Sequence, residues 1–190
     1  MGGERSEDTF LLPNLLTASR IAAAPLLAFA VLAGQSPELA AGIALAAAAT
    51  DLLDGAVARF QGKTSEFGAA LDPIADKVFI LTALVLLIAD GTLRGGAVWA
   101  ALIVLWRETL VAGLRSCARP QGHAAPVSLI AKVKTGAQFL AVIALFGARM
   151  PWPGSEVLFG AGAVLLWGAA GLALYSGADY LWRARRRSWK

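Results

Sequence analysis

The sequence predicts an all-α integral membrane protein with six transmembrane helices and both termini on the cytosolic side. Three observations carry that prediction. The 190 residues are 57% hydrophobic and only 16% charged, with a mean hydropathy of +0.63, too apolar for an ordinary soluble domain. Six apolar stretches are separated by breaks that alternate between short and long. The basic residues, finally, are sorted by which breaks they occupy.

Charge-free runs cover residues 21–37, 39–50, 78–89, 95–106, 135–148 and 157–178. The first and last, with 17 and 22 residues, are long enough to cross a hydrocarbon core of about 30 Å. The others are shorter and would suit the core of a soluble fold, yet nothing between them supplies a polar face large enough to coat one. Each is therefore extended through the charged residues at one end, placing spans near 14–34, 38–59, 71–90, 96–116, 132–148 and 156–182. Residues 1–9 read as a flexible lead, 10–182 as one membrane domain, and 183–190 as a basic cytosolic tail. Residues 10–16 read as a short interfacial helix, with Thr9 or Asn14 as its cap. No internal repeat is evident, and no linker is long enough to divide the chain.

The breaks at 34–37, 90–95 and 149–155 are short and hold glycine, proline or both, whereas 59–71 and 115–134 are longer and more charged. Of the 17 basic residues, only Arg94 and Arg149 fall on the short-loop side. Positive-inside bias therefore puts both long loops and both termini in the cytosol. A multi-pass protein of the cell inner (cytoplasmic) membrane is expected.

Other classes are excluded. The lone cysteine, Cys117, cannot form an internal disulfide, which removes the small secreted scaffolds. Low charge with abundant Leu and Ala removes disorder. The net charge of +4 does not point to nucleic acid, because there are no basic–aromatic stripes and no zinc-ligand pairs. The dense cluster Arg183, Arg185, Arg186, Arg187 and Lys190 reads as an anchor on anionic headgroups. Ala28-Phe29-Ala30 mimics a signal-cleavage site, but Pro13, Asn14 and Arg20 interrupt the apolar stretch before it, so no cleavage is expected. His123 and Cys117 read as ordinary, and Trp152, Trp182 and Trp189 as interfacial anchors.

Ionisable residues within membrane helices default to function. Four carboxylates crowd one stretch: Asp51 and Asp54, three apart, and Asp72 and Asp76, four apart, so each pair shares a helix face. A turn between two antiparallel spans would bring the pairs together. Four such carboxylates repel and take up protons unless a cation is present. One hard divalent ion, or two, with all-oxygen ligands resolves this, and Mg²⁺ commonly shares its shell with substrate phosphates. Arg59 is placed to meet a phosphate with its fork. Gly55, at a cost of about 1 kcal/mol in a helix, leaves room for a ligand.

The string Asp51-Leu52-Leu53-Asp54-Gly55-Ala56-Val57-Ala58-Arg59, eight residues, Gly68, three residues, Asp72, three residues, Asp76 resembles the signature of the CDP-alcohol phosphotransferase family, with all eight defining positions present. The resemblance implies a six-helix membrane enzyme, usually a homodimer, that moves a phosphatidyl or similar group from a CDP-linked donor to an alcohol and releases CMP. It implies Mg²⁺ or Mn²⁺, as two ions, at Asp51, Asp54, Asp72 and Asp76, with Asp76 as the base. Gly55, Ala58, Arg59 and Gly68 would serve the CDP-lipid.

Three further stretches resemble the phosphatidylglycerophosphate synthase branch of that family: Pro13-Asn14-Leu15-Leu16-Thr17 with Arg20 and Pro25, Arg107-Glu108-Thr109-Leu110 with Leu114-Arg115, and Lys132-Val133-Lys134-Thr135 with Gln138. Ala131 departs from the glycine expected there. That branch implies CDP-diacylglycerol and sn-glycerol 3-phosphate as substrates, with Arg107, Arg115, Lys132 and Lys134 forming a basic pocket for the anionic acceptor at the inner ends of the spans. Arg20 reads either as a buried partner for a carboxylate or as part of that pocket. Rival readings are the same chemistry with phosphatidylglycerol (giving cardiolipin), serine or an inositol phosphate as acceptor, and a cation transporter using the four Asp.

Overall fold

Six helices in chain order make up the described structure: α1 (Asp8–Leu32), α2 (Pro37–Gln61), α3 (Glu66–Ala89), α4 (Gly96–Cys117), α5 (Leu129–Gly147) and α6 (Ser155–Arg187). The computed structural model describes the backbone of residues 8–61, 66–117 and 129–187, and the side chains of 18–51, 77–114, 133–179 and Trp182. Among the described residues there is no strand.

Local chemistry accounts for the ends of these helices. α1 stops at Leu32 because Gly34 takes a left-handed conformation (φ 66°), and the Gln35 amide donates back to Ala30 O at 2.9 Å. Such a close needs a residue without Cβ strain. Ser36 then caps α2, its Oγ accepting from the Leu39 amide at 3.3 Å, with Pro37 at the first helical position, where its missing N–H costs nothing. Gly91 (φ 76°) and Gly95 (φ 56°) bracket the α3–α4 turn in the same way. These two turns sit where the sequence puts its first two short breaks.

Two expectations are corrected. There is no separate interfacial helix at 10–16: α1 runs unbroken from Asp8, so Thr9 and Asn14 lie within it. α3 begins at Glu66, five residues before the predicted start, and carries Pro73 as its eighth residue, where the ring removes one main-chain hydrogen bond. α6 continues through Arg187, into the basic C-terminal segment.

The chain divides into two compact units, residues 1–90 and 91–190. In the first, α1 packs against both α2 and α3. Its core is built on Leu27, Phe79, Leu84 and Leu87 with small residues at Ala40, Ala44 and Ala83, all buried. Alanine on α2 lets the helices approach closely. In the second, α6 packs against both α4 and α5, around Val104, Val142, Leu145, Phe146 and Leu166. α5 and α6 are antiparallel, since a Cβ at Gly147 would lie 2.9 Å from Leu158 and one at Gly162 2.8 Å from Leu145. Two helical segments, Gly96–Leu114 and Ser155–Asp179, are long and apolar enough to cross a membrane. Large apolar side chains such as Trp106 (77% exposed), Trp99, Val157, Val164 and Tyr175 stand exposed in this unit, a pattern that water-facing surfaces avoid over large areas.

Candidate active site

The signature residues fall on two helices of the first unit. Asp51, Asp54, Gly55, Ala58 and Arg59 lie in the last turns of α2, and Gly68, Asp72 and Asp76 in the first three turns of α3. The side chains of Asp54, Arg59, Asp72 and Asp76, like those of Ala58, Arg115 and Lys132, lie outside the described residues. Asp51 is described. Its Oδ1 accepts from Arg20 Nη1 at 2.7 Å, across the α1–α2 hairpin. Arg20 has no solvent exposure, whereas the Asp51 side chain is 27% exposed. Of the two readings open for Arg20, the structure selects the carboxylate partner.

Four carboxylates at these positions offer hard oxygen donors, the set that a divalent ion with phosphate co-ligands takes. The one side chain of the four that is described, Asp51, is held by a buried arginine and keeps part of its surface open. The donor set therefore fits a divalent cation. Among the described residues no three His, Cys, Asp or Glu side chains come together, because three of the four Asp are outside that set.

The second unit holds a separate polar cluster. Glu108 on α4 is buried, and its Oε1 accepts from Arg107 Nη1 at 2.8 Å and from Lys134 Nζ on α5. Arg107 also reaches α6: Nε donates to Ala173 O at 2.8 Å and Nη2 to Ser176 Oγ at 2.7 Å. Gly177 lies against this arginine: a Cβ there would meet Arg107 Nε at 3.4 Å and its Cγ at 3.5 Å, an ordinary contact. Arg107 lies eleven residues into α4, about 16 Å from its start at 1.5 Å per residue. It therefore sits near the middle of α4, away from either end of the helix.

Arg107, largely buried, and Lys134, buried, share the Glu108 carboxylate here. Cations held in a low-dielectric setting suit an anionic ligand rich in acceptor oxygens. Arg107 is bonded on three sides, so its first role is to tie α4 to α6. The parts played by Glu108, Ser176 and Gly177 were not anticipated. A glycine beside a small hydroxyl residue, on a span facing an arginine-bearing helix, was the available signal.

The model of the CDP-alcohol phosphatidyltransferase family matches residues 10–175. This chain belongs to that family. Members of the CDP-alcohol phosphatidyltransferases resemble it over nearly its whole length. It is 38% identical over 180 residues to the CDP-diacylglycerol–glycerol-3-phosphate 3-phosphatidyltransferase of Pectobacterium atrosepticum, covering 93% of this chain and 96% of that one. The Bacillus subtilis protein of the same name is 31% identical over 94% of this chain and 99% of its own. The cardiolipin synthase (CMP-forming) of rice is 36% identical over 94% of this chain, which spans 57% of that longer protein.

Proposed function

We propose that this CDP-alcohol phosphatidyltransferase transfers the phosphatidyl group of CDP-diacylglycerol to sn-glycerol 3-phosphate, giving phosphatidylglycerophosphate and CMP. The observation that carries the acceptor is the buried cluster in which Arg107 and Lys134 share Glu108. An acceptor bearing a phosphate suits these two cations better than serine would. Arg115, about two turns along α4 from Arg107, and Lys132, two residues before Lys134, would add to the pocket. Names of relatives from Pectobacterium and Bacillus point the same way.

In this reading Asp51, Asp54, Asp72 and Asp76 hold divalent ions, Mg²⁺ or Mn²⁺, which when bound neutralise pyrophosphate charge and favour departure of CMP. Arg20 fixes Asp51 in place. Arg59 binds a donor phosphate, and Gly55, Ala58 and Gly68 leave space for the nucleotide. Asp76 takes the proton of the glycerol 1-hydroxyl as its oxygen bonds to the phosphatidyl phosphorus and the anhydride P–O bond to CMP breaks. No covalent enzyme intermediate is needed. All six helices cross the inner membrane in this reading, with both termini and the active site facing the cytosol, and two copies pair as a homodimer. The 15 basic residues on the long-loop side against 2 on the other support that topology.

The test is CMP release by the purified full chain given CDP-diacylglycerol and Mg²⁺, with and without glycerol 3-phosphate. Release only with glycerol 3-phosphate, abolished in Asp76→Asn, is the expected result. The likeness to the rice protein favours one second reading, phosphatidylglycerol as acceptor with cardiolipin as product. An acceptor panel of phosphatidylglycerol, serine and an inositol phosphate separates the two.

A further inference from the structure

Gln138 lies one helical turn beyond Lys134 on α5, so the two side chains leave the same helix face. Both residues are buried, Gln138 at 4% exposure. The Gln138 Nε2 amide meets no hydrogen-bond acceptor, Glu108 included. A buried donor without a partner costs about as much as the hydrogen bond it forgoes, and native interiors rarely tolerate one without cause. α5 supplies apolar residues at the next inward positions, with Ala141, Val142 and Leu145 all buried, and a leucine would suit position 138 equally well. Glu108 Oε1, which Lys134 meets, is already engaged by two cations. The cluster thus joins Arg107 and Lys134 at one carboxylate, and one turn from Lys134 it holds a further donor, Gln138 Nε2, left unsatisfied.

We infer that Gln138 is a specificity-determining residue whose side-chain amide donates to an oxygen of the phosphorylated acceptor held at Lys134. The inference rests on the acceptor reading proposed above and adds a residue to it. Lys134 supplies charge without direction, whereas a planar amide fixes where one acceptor oxygen lies relative to α5. An acceptor lacking an oxygen at that place leaves the amide unpaired and is rejected for that reason.

Two readouts of opposite sense make the test. Gln138→Leu removes the donor at similar volume. Its melting temperature in detergent without substrate should be unchanged or higher, because replacing an unsatisfied amide by an apolar group is neutral or favourable. Its KM for glycerol 3-phosphate should rise about ten- to hundredfold, the worth of a hydrogen bond to a charged group, with KM for CDP-diacylglycerol unmoved. Gln138→Glu should weaken the acceptor further by adding like charge. Direct titration of glycerol 3-phosphate onto the protein without CDP-lipid should show the same loss. A lower melting temperature with unchanged acceptor KM would make Gln138 structural and overturn the inference. Unchanged values of both would mean that the amide meets water only, which also overturns it. If the wild type uses another acceptor and ignores glycerol 3-phosphate, the acceptor reading itself fails, a result visible before any variant is made.

Discussion

Arg20 and Asp51, 31 residues apart, meet at 2.7 Å across the α1–α2 hairpin, the arginine with no solvent exposure at all. The pair ties the first of the four signature carboxylates to a helix that carries none of the others. Loss of either partner has unequal consequences. Asp51→Ala takes this carboxylate from a fully buried cation and should cost about 3–5 kcal/mol. Arg20→Met leaves a carboxylate that water still reaches and should cost about 1–3 kcal/mol. The double variant Arg20→Met with Asp51→Leu should recover most of that stability while remaining inactive. Thermal melting in detergent beside CMP release distinguishes the two contributions, and a double variant as unstable as Asp51→Ala would rule out the ion pair as the cause.

Glu108 should behave as the hub of its cluster. Glu108→Gln removes the carboxylate that Arg107 and the buried Lys134 share, and a loss of about 3–5 kcal/mol is expected. Lys134→Met added to Glu108→Gln should cost less than the sum of the single changes, with a coupling of about 0.5–3 kcal/mol. Additive single and double values would show that the two side chains do not share one interaction.

Divalent ions should stabilise the protein as well as activate it. Ions that bind the folded state alone raise its stability in proportion to the logarithm of their concentration over Kd, about 2.7 kcal/mol at a hundredfold excess. Titrating Mg²⁺ or Mn²⁺ into chelator-treated protein should therefore raise the melting temperature and restore CMP release together. Asp72→Asn with Asp76→Asn should abolish the thermal response. A response that survives this double change would place the ions elsewhere.

Much of this was legible in advance because membrane helices announce themselves by composition. Most helix ends fell within a few residues of the spans drawn by extending the apolar runs through their flanking charges, whereas α1 and α3 start earlier and carry Pro13 and Pro73 inside them. The signature carboxylates were readable because their spacing is local. Arg20 could be read as a candidate partner for a buried carboxylate, but not for Asp51 in particular, since nothing in a helical period connects residues 31 apart. Ser176 and Gly177 were equally silent, because a hydroxyl and a missing Cβ acquire meaning only through the arginine that packs on them. Gln138 could be seen as polar in an apolar stretch, but its lack of a partner is a tertiary fact.

The glycines of α6 give the sharpest test of the second unit. A Cβ on Gly162 would stand 2.8 Å from Leu145 Cγ and 3.3 Å from the Ala141 carbonyl oxygen. The leucine could swing aside but the carbonyl is fixed by its own helix, so Gly162→Ala should overpack the α5–α6 seam by about 1–3 kcal/mol. That penalty is set against a gain of about 1 kcal/mol in helix propensity, for a net loss of up to about 2 kcal/mol. At Gly168 and Gly171 a Cβ meets nothing within 4 Å, so alanine there should keep the full propensity gain and raise the melting temperature. Gly177→Ala lies between: its Cβ would touch Arg107 at ordinary contact distance and be tolerated, while Gly177→Val should push the guanidinium off Ala173 O and Ser176. Activity should fall for the valine variant and hold for the alanine one. Equal melting temperatures for the alanine variants at 162 and 168 would show that α5 and α6 do not close as tightly as their backbones are placed.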